Sequence, residues 1–279
     1  MRIPGLGQEQ VLKCFPGDSH CGTISPGGNS EKGMCKTSKH LTWRIGTSGW
    51  NYSHWKEIFY PSNLAKSKWL GFYAEQFDTV EVNATFYRLP KPETFKNWYQ
   101  KTPEHFLWAI KGSKFITHTQ RLKDCKELLD RLYDSVAGLK EKLGPILFQL
   151  PPSLSFDEAL LSSFCKGLNP SYRHALEIRH RSWIHERAFE ILKENNIAFC
   201  ISDTAGRYPY HEAITADFLY IRLHGSKKLY ASEYTEDELQ AWAQKIRNWN
   251  KEIYLYFDND FHGYAVVNTK RLKVILSIP

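Results

Sequence analysis

Short apolar runs alternate with helical patterns along most of the chain, and this alternation limits the fold more than any other feature of the sequence. Each run is apolar on both faces in its first half, as strands buried on both sides must be. The runs lie at 43–48, 79–85, 106–111, 145–150, 174–179, 197–203, 218–224 and 252–259. Eight such runs, all but one followed by a helical pattern, predict an α/β fold, a (β/α)₈ TIM barrel.

Helical patterns fill most of the intervals between the runs. The segment 235–250 opens with Thr-Glu-Asp-Glu, the form of a capping box. The predicted helices are 64–76, 93–101, 124–143, 156–167, 186–195, 235–250 and 268–276, and only the link from 203 to 217 lacks one. The alternative is an open doubly wound sheet. That fold carries a glycine-rich phosphate turn after its first strand, and Gly46-Thr-Ser-Gly49 is too short for that turn.

Residues 1–41 do not share this alternation. They are rich in glycine and proline and show no helical period, which predicts a disordered or non-native extension before a single barrel domain over 42–279. The extension lacks the apolar core of a secretory signal, and its acidic residues disfavour a transit peptide. Met34, just before the first run, is a candidate for the natural start of the protein.

Composition excludes several classes of protein. With 42% hydrophobic and 24% charged residues, the chain is not intrinsically disordered, and no apolar run is long enough to span a bilayer. Six cysteines in 279 residues do not make a disulfide scaffold, so we expect reduced thiols in the cytoplasm. A zinc site on Cys14, Cys21 and Cys35 with His20 or His40 is disfavoured, because no pair has zinc-ligand spacing.

The net charge of +7 allows an anionic partner without requiring one. Nothing in the sequence calls for an obligate protein partner.

Nearly every predicted strand ends on a polar side chain. In such barrels the active site lies at the carboxyl ends of the strands, and side chains two positions apart share a face. The candidates are Thr47 or Ser48, Glu81, Asn83, Lys111, Gln149, Glu177, Arg179, Asp203, Arg222, His224, and Asp258 or, on the other face, Asn259. Buried charges are costly unless paired, so the set together predicts a functional site. The alternative is that pairs such as Glu177 with Arg222, or Glu81 with Lys111, only hold the strands in register.

Arginine and histidine are interleaved with these carboxylates, in Glu177-Ile-Arg-His180 and in Arg222-Leu-His224. Guanidinium groups suit phosphate or carboxylate ligands better than a metal cluster. We therefore predict an anion-binding site and no resident cofactor. A divalent metal stays open as an alternative, with the ligand set Glu81, Glu177, His180, Asp203 and His224.

Aromatic residues crowd the loops that follow the predicted strands. They are Trp50, Tyr52, Trp55, Phe86, Tyr87, Trp183, Tyr208, Tyr210, Tyr230 and Tyr234. Aromatic and basic side chains together suit a nucleotide, a nucleic acid or a sugar phosphate. The other interpretation is that these rings only cap the barrel. Glycoside hydrolysis by Glu81 and Glu177 is disfavoured, because the nearby cations would keep a carboxyl ionised where a general acid needs a raised pKa.

The motifs of this chain resemble those of the domain-of-unknown-function-72 family, also called YecE-like proteins. They are Ile45-Gly-Thr-Ser-Gly-Trp50, Glu81-Val-Asn-Ala-Thr-Phe-Tyr87, Leu143-Gly-Pro-Ile-Leu-Phe-Gln-Leu-Pro-Pro152, Glu177-Ile-Arg-His180, Ser202-Asp203, Tyr220-Ile-Arg-Leu-His-Gly225 and Tyr256-Phe-Asp-Asn-Asp260. The resemblance covers about 43–276 and implies a (β/α)₈ barrel in a cytoplasmic protein, without a reaction. Asp258 departs from it, because the family pattern there is closer to Phe-Asn-Asn.

Our first hypothesis is a hydrolase-type enzyme that acts on a phosphorylated or nucleic-acid ligand at the carboxyl end of the barrel. The predicted catalytic residues are Glu177 or Asp203 as base and His180 or His224 as acid. The predicted substrate-binding residues are Glu81, Asn83, Tyr87, Lys111, His118, Gln149, Arg179, Trp183, Arg222 and Asn259. Two alternatives are a barrel that binds nucleic acid or a nucleotide without turnover, and a sugar isomerase or lyase.

Overall fold

Eight parallel strands close into a barrel in the computed structural model, which describes residues 41–278. The strands are β1 (Trp43–Ser48), β2 (Thr79–Val82), β3 (Leu107–Lys111), β4 (Leu143–Gln149), β5 (His174–Glu177), β6 (Ile197–Asp203), β7 (Phe218–Leu223) and β8 (Glu252–Phe257). Each strand pairs with the next along the chain, and β8 pairs with β1. The predicted (β/α)₈ barrel is therefore confirmed.

Helices cover the outside of the barrel. They are α1 (Trp69–Gln76), α2 (Ala84–Tyr87), α3 (Pro92–Lys101), α4 (Lys126–Val136), α5 (Glu158–Gly167), α6 (Glu186–Glu194), α7 (Glu236–Trp249) and α8 (Tyr264–Leu276). The capping box of α7 is present: the Thr235 hydroxyl accepts from the Glu238 amide, and the Glu238 carboxylate accepts from the Thr235 amide. Within the described residues, no helix is long and apolar enough to cross a membrane.

Side chains alternate between the lumen and the outer face along each strand. The lower lumen is filled by small and aromatic residues: Ala109, Leu147, Ala175, Ala198, Cys200, Phe218, Tyr220, Tyr254 and Tyr256. The outer faces carry larger aliphatic and aromatic residues that pack under the helices. Cys125, Cys165 and Cys200 are buried free thiols. This packing leaves the carboxyl ends of the strands as the place where polar groups meet.

Several predicted boundaries were wrong. The predicted strand 79–85 ends at Val82, because α2 starts at Ala84. The predicted helix 124–143 ends at Val136 and continues as a tighter 3₁₀ segment, Ala137–Lys142. There the buried Lys142 ammonium donates to the carbonyls of Tyr99 and Thr102, each at 2.6 Å.

The first and last helices also differ from their predicted bounds. Helix α1 starts at Trp69 after a separate 3₁₀ turn, and α8 starts at Tyr264, four residues earlier than predicted. The link between β6 and β7 has no helix, as predicted. The predictions for residues 1–40, including the zinc alternative and the start at Met34, lie outside the described residues.

Candidate functional site

The guanidinium of Arg222 lies in the lumen at the carboxyl end of β7 and is fully buried. It contacts carboxylates from β2, from β5 and from the residue that follows β8. Nη1 donates to Glu177 Oε2 at 2.7 Å, and Nη2 donates to Glu81 Oε1 at 2.8 Å and to Asp258 Oδ2 at 3.0 Å. The predicted pair of Glu177 with Arg222 is thus present, whereas Glu81 pairs with Arg222 and not with Lys111. We call Glu81, Glu177, Arg222, His224 and Asp258 the charge cluster.

Neutral donors and cations complete the shell around the carboxylates. The Ser48 hydroxyl donates to Glu81 Oε1 at 2.6 Å, and the Tyr220 hydroxyl donates to Glu81 Oε2 at 2.7 Å. Burial alone would raise the pKa of Glu177, but the charges of Arg222 and Arg179 outweigh it and hold that pKa below its ordinary value. The carboxylates and the guanidinium therefore satisfy one another, as a buried charge set requires.

His224 connects Arg222 to Asp258. Its Nε2 lies 3.3 Å from Arg222 Nη1, and its Nδ1 lies 2.9 Å from Asp258 Oδ2. Because a guanidinium only donates, Nε2 faces Arg222 as an acceptor when the ring is neutral, and Nδ1, which faces Asp258, is then the nitrogen that carries the proton. His224 is fully buried, so it positions Asp258 rather than meeting a ligand.

Asp258 is the member of the charge cluster that reaches solvent. Its side chain is 17% exposed, whereas those of Glu81, Glu177, Arg222 and His224 are fully buried. Burial alone would raise the pKa of Asp258. The charge of Arg222 and the contact with His224 outweigh burial and hold that pKa below its ordinary value. Asp258 is therefore an ionised carboxylate at the floor of the barrel mouth.

Arg179 lies above the cluster and is held from three sides. Its Nη2 donates to Gln149 Oε1 at 3.0 Å, and its Nε and Nη2 lie 3.2 Å from Glu177 Oε1. The guanidinium also lies over the Tyr208 ring, 4.4 Å from its centroid. These contacts fix the guanidinium at the mouth.

Lys111 is a buried cation of the mouth that has no carboxylate partner among the described residues. Among residues 41–278, no Asp or Glu oxygen lies within 4.0 Å of its ammonium, although the residue is only 9% exposed. Its Nζ lies over the Phe86 ring, 4.5 Å from the ring centroid. Burial, with a further contribution from the Arg222 charge, lowers the pKa of Lys111 to about 8. The ammonium is thus a buried charge that still lacks an anion.

His118 and Asn83 are two further polar residues of the mouth. The His118 ring meets Phe86 edge-on at 5.1 Å, and its pKa is lowered by burial and by the charges of Arg179 and Lys111. Asn83 Oδ1 is buried and has no hydrogen-bond partner among the described residues. A buried acceptor without a donor is unfavourable, so Asn83 offers a contact to a ligand.

Two of the predicted polar residues point away from the lumen. Asp203 lies on the outer face of β6, where its carboxylate accepts from the Tyr234 hydroxyl at 2.9 Å. Asn259 also faces outward, and its Nδ2 donates to Asn268 Oδ1 at 2.8 Å. In both strands the neighbouring residue occupies the lumen, Ser202 in β6 and Asp258 after β8.

Three further predicted residues lie outside the cluster. His180 accepts the Ser182 amide on Nδ1 and caps a short 3₁₀ turn. Trp183 is buried, and its Nε1 donates to the Leu154 carbonyl at 2.7 Å. Tyr87 is 69% exposed on the rim. The structure thus gathers Glu81, Asn83, Lys111, His118, Gln149, Glu177, Arg179, Arg222 and His224 at the mouth, and leaves Tyr87, His180, Trp183, Asp203 and Asn259 apart from them.

The described residues do not converge on a metal. No group of three or more His, Cys, Asp or Glu side chains among them has the arrangement of a metal site. Of the ligand set considered above, Glu81 and Glu177 are bonded to Arg222, and Asp203 and His180 face elsewhere. The donor set of the mouth suits an anion better than a cation.

A family model described as "Protein of unknown function DUF72" matches residues 44–279 of the chain. The UPF0759 protein YunF of Bacillus subtilis (strain 168) is 26% identical over 269 residues, which cover 84% of this chain and 94% of that protein. The UPF0759 protein YecE of Escherichia coli (strain K12) is 25% identical over 232 residues, or 74% of this chain and 82% of that protein.

Solved structures share the fold. The crystal structure of a DUF72 family protein from Thermotoga maritima matches with a TM-score of 0.78 and 29% identity, over 85% of this chain and 99% of that one. A DUF72 family protein from Enterococcus faecalis V583 matches with a TM-score of 0.75 and 20% identity, over 85% and 96%. The resemblance noted in the sequence motifs is thereby confirmed.

Proposed function

The chain belongs to the DUF72 family of proteins of unknown function, and we propose that it is a hydrolase-type enzyme that binds a phosphate-bearing ligand at the carboxyl end of its barrel. The observation that carries this proposal is the Lys111 ammonium. It is buried at the mouth, and within residues 41–278 no carboxylate lies within 4.0 Å of it. A buried charge is stable only when it is paired, so the site calls for an anion from outside the chain.

The neighbours of Lys111 favour phosphate. Arg179 presents a guanidinium fixed by Gln149 and Glu177, and guanidinium groups match the geometry of phosphate oxygens. The charges of Lys114 and Arg121 act on His118 from the same side of the mouth. Positive charge at one wall of the mouth therefore attracts an anionic ligand, whether a small molecule or a nucleic acid.

Arg222 has no part in binding this ligand, because its guanidinium is fully buried and already bonded to three carboxylates. We assign the role of general base to Asp258. It is the ionised carboxylate of the charge cluster that reaches solvent, and His224 holds it from behind at 2.9 Å. In hydrolysis Asp258 would take the proton of an attacking water as the water oxygen bonds to phosphorus and the P–O bond to the leaving group breaks. The proton would then pass from Asp258 to the departing oxygen, while Lys111 and Arg179 would stabilise the negative charge on the phosphoryl oxygens.

The test of binding uses two matched lysines. Lys111 is buried at the end of β3, and Lys114 is exposed three residues later, so K111M and K114M change the net charge equally. Titration calorimetry with p-nitrophenyl phosphate, bis(p-nitrophenyl) phosphate and a short single-stranded DNA is expected to show binding to the wild type and K114M but not to K111M. Equal affinity of K111M and wild type for these anions would refute the proposal.

The test of turnover uses Asp258. Release of p-nitrophenol, with and without Mg²⁺, is expected to fall at least about 100-fold in D258N while anion binding persists. Thermal melting of D258N checks that the cluster is still folded. Binding that disappears steeply with salt and yields no product in the wild type would instead support a barrel that binds nucleic acid or nucleotides without turnover.

A further inference from the structure

A depression of about 550 Å³ opens beside Asp258, between the loop after β1 and the loop after β8. Tyr52 and Ile58 line it from the first loop, and Asp260 and Phe261 line it from the second. We propose that this depression binds a planar ring that is neutral or cationic, carries N–H donors and is joined to the anion at Lys111. The inference rests on the proposed function and specifies its ligand as an amine-bearing nucleoside phosphate.

The two loops hold the depression in shape without a ligand. Gly263 has a φ of +75°, and a Cβ there would lie 2.9 Å from Ile58 Cγ2, so only glycine lets the loops approach this closely. Trp55 Nε1 donates to Asp260 Oδ1, and His54 Nε2 lies 2.9 Å from Asp260 Oδ2. The depression is therefore preformed, as small-molecule sites usually are.

The surface of the depression suits a flat apolar ring. Ile58 is 51% exposed and Phe261 is 58% exposed, although both belong to well-packed loops. A ring that lies against them removes apolar surface from water, and stacking on Phe261 adds to that gain. A sugar alone would leave most of this apolar surface in water.

Charge divides the mouth into two walls. The wall of β3 and the loop after it carries Lys111, Lys114 and Arg121. The depression carries two carboxylates, Asp258 and Asp260, with the imidazoles of His54 and His262, and none of the described residues that line it is a lysine or an arginine. A second anion would be repelled there, whereas the N–H donors of a base would find acceptors. The ligand therefore has its anion at one end and a donor-bearing ring at the other.

The experiment compares ligands that differ only in the presence of a base or in its exocyclic amine. Titration calorimetry measures the affinity of ribose 5-phosphate, AMP and CMP, together with IMP and UMP, in which a carbonyl replaces the exocyclic amine. We expect AMP or CMP to bind at least about fivefold more tightly than ribose 5-phosphate, because that is the lower end of what stacking on a single aromatic ring supplies. IMP and UMP are expected to bind more weakly than their amine-bearing counterparts.

Two exposed phenylalanines provide matched variants. Phe261 lies in the depression, and Phe115, 50% exposed, lies beside Lys114 on the opposite wall. F261A should lose the advantage of AMP over ribose 5-phosphate and keep the affinity for ribose 5-phosphate, whereas F115A should keep both. The opposite pattern would place the ring on the other wall and overturn the inference.

The remaining outcomes separate the two proposals. If ribose 5-phosphate and the nucleotides bind equally and all lose affinity in K111M, the phosphate site stands and the ring site is refuted. Equal affinities within the AMP–IMP and CMP–UMP pairs would refute the part of the inference that concerns the amine. If neither ribose 5-phosphate nor any nucleotide binds, the phosphate site is refuted and the ring site with it.

Discussion

Replacement of Arg222 by methionine removes the central cation and keeps most of the side-chain volume. Glu177 would keep its contact with Arg179, and Asp258 would keep its access to solvent. Glu81 would be left fully buried with only the hydroxyls of Ser48 and Tyr220 as donors. The loss therefore corresponds to about one uncompensated buried carboxylate, which lowers the free energy of unfolding by about 3–5 kcal/mol.

Urea unfolding at pH 7.5, followed by tryptophan fluorescence, measures this loss. In a barrel of this size it corresponds to a melting temperature lower by about 6–20 °C. R179M serves as the control, because Glu177 then keeps Arg222, and its loss should be less than half as large. In E81Q/R222M the uncompensated charge is absent, so the double variant should be more stable than R222M.

The pH dependence supplies a second signature of R222M. In the wild type, Glu177 and Asp258 have pKa values held below those of the unfolded chain, so their stabilising contribution is complete above about pH 4.5 and disappears as the pH falls. R222M removes the cation that causes this, and its stability should rise less between pH 3 and 6. A loss below about 1 kcal/mol at pH 7.5, or a double variant less stable than R222M, would refute the reasoning.

Three further predictions concern Lys111, Lys142 and Gly46. Burial lowers the pKa of Lys111 to about 8, so the ammonium loses its charge between pH 7 and 9.5. The affinity of the wild type for p-nitrophenyl phosphate should therefore fall at least about tenfold over this range. In K111R the affinity should stay nearly constant, because the guanidinium keeps its charge. K142M removes the donor from the buried carbonyl of Thr102 and from the partly buried carbonyl of Tyr99, and should lower the free energy of unfolding in urea by about 1–3 kcal/mol. A Cβ at Gly46 would lie 2.4 Å from the Thr79 carbonyl oxygen, so G46A should destabilise the protein by about 1–3 kcal/mol. The control G71A has open space on α1 and should stabilise the protein. A G46A variant as stable as the wild type would contradict the close approach of β1 and β2.

The barrel could be predicted because its strands are apolar on both faces and are separated by helical patterns. The central charges were also predictable, since Glu81, Glu177 and Arg222 each interrupt an apolar strand at its carboxyl end. Burying such a group requires a partner, and the lumen is where several strands can provide one. Strand ends were harder to place, because α2 begins only two residues after β2 ends.

Where both faces of a strand are apolar, the sequence does not show whether a given residue points into the lumen or toward the helices. In β6 the lumen takes the small series Ala198, Cys200 and Ser202, so the more strongly polar Asp203 faces outward. After β8 the lumen series continues from Tyr256 to Asp258, and Asn259 falls on the other face. In β6, the small residues mark the face that points into the lumen. In β8, the tyrosines mark that face, and these two signals could have placed Asp203 and Asp258 correctly.

The wide separation in sequence between members of the charge cluster has a consequence for the newly synthesised chain. Glu81 and Arg222 are 141 positions apart, so a growing polypeptide emerges from the ribosome with the acid long before its cation has been synthesised. Until β7 arrives, Glu81 remains hydrated, and water between the early strands opposes their premature collapse into a closed sheet. The last strands therefore bring the charge that pairs with Glu81, and we expect a chain interrupted before β7 to stay open, hydrated and accessible to proteolysis.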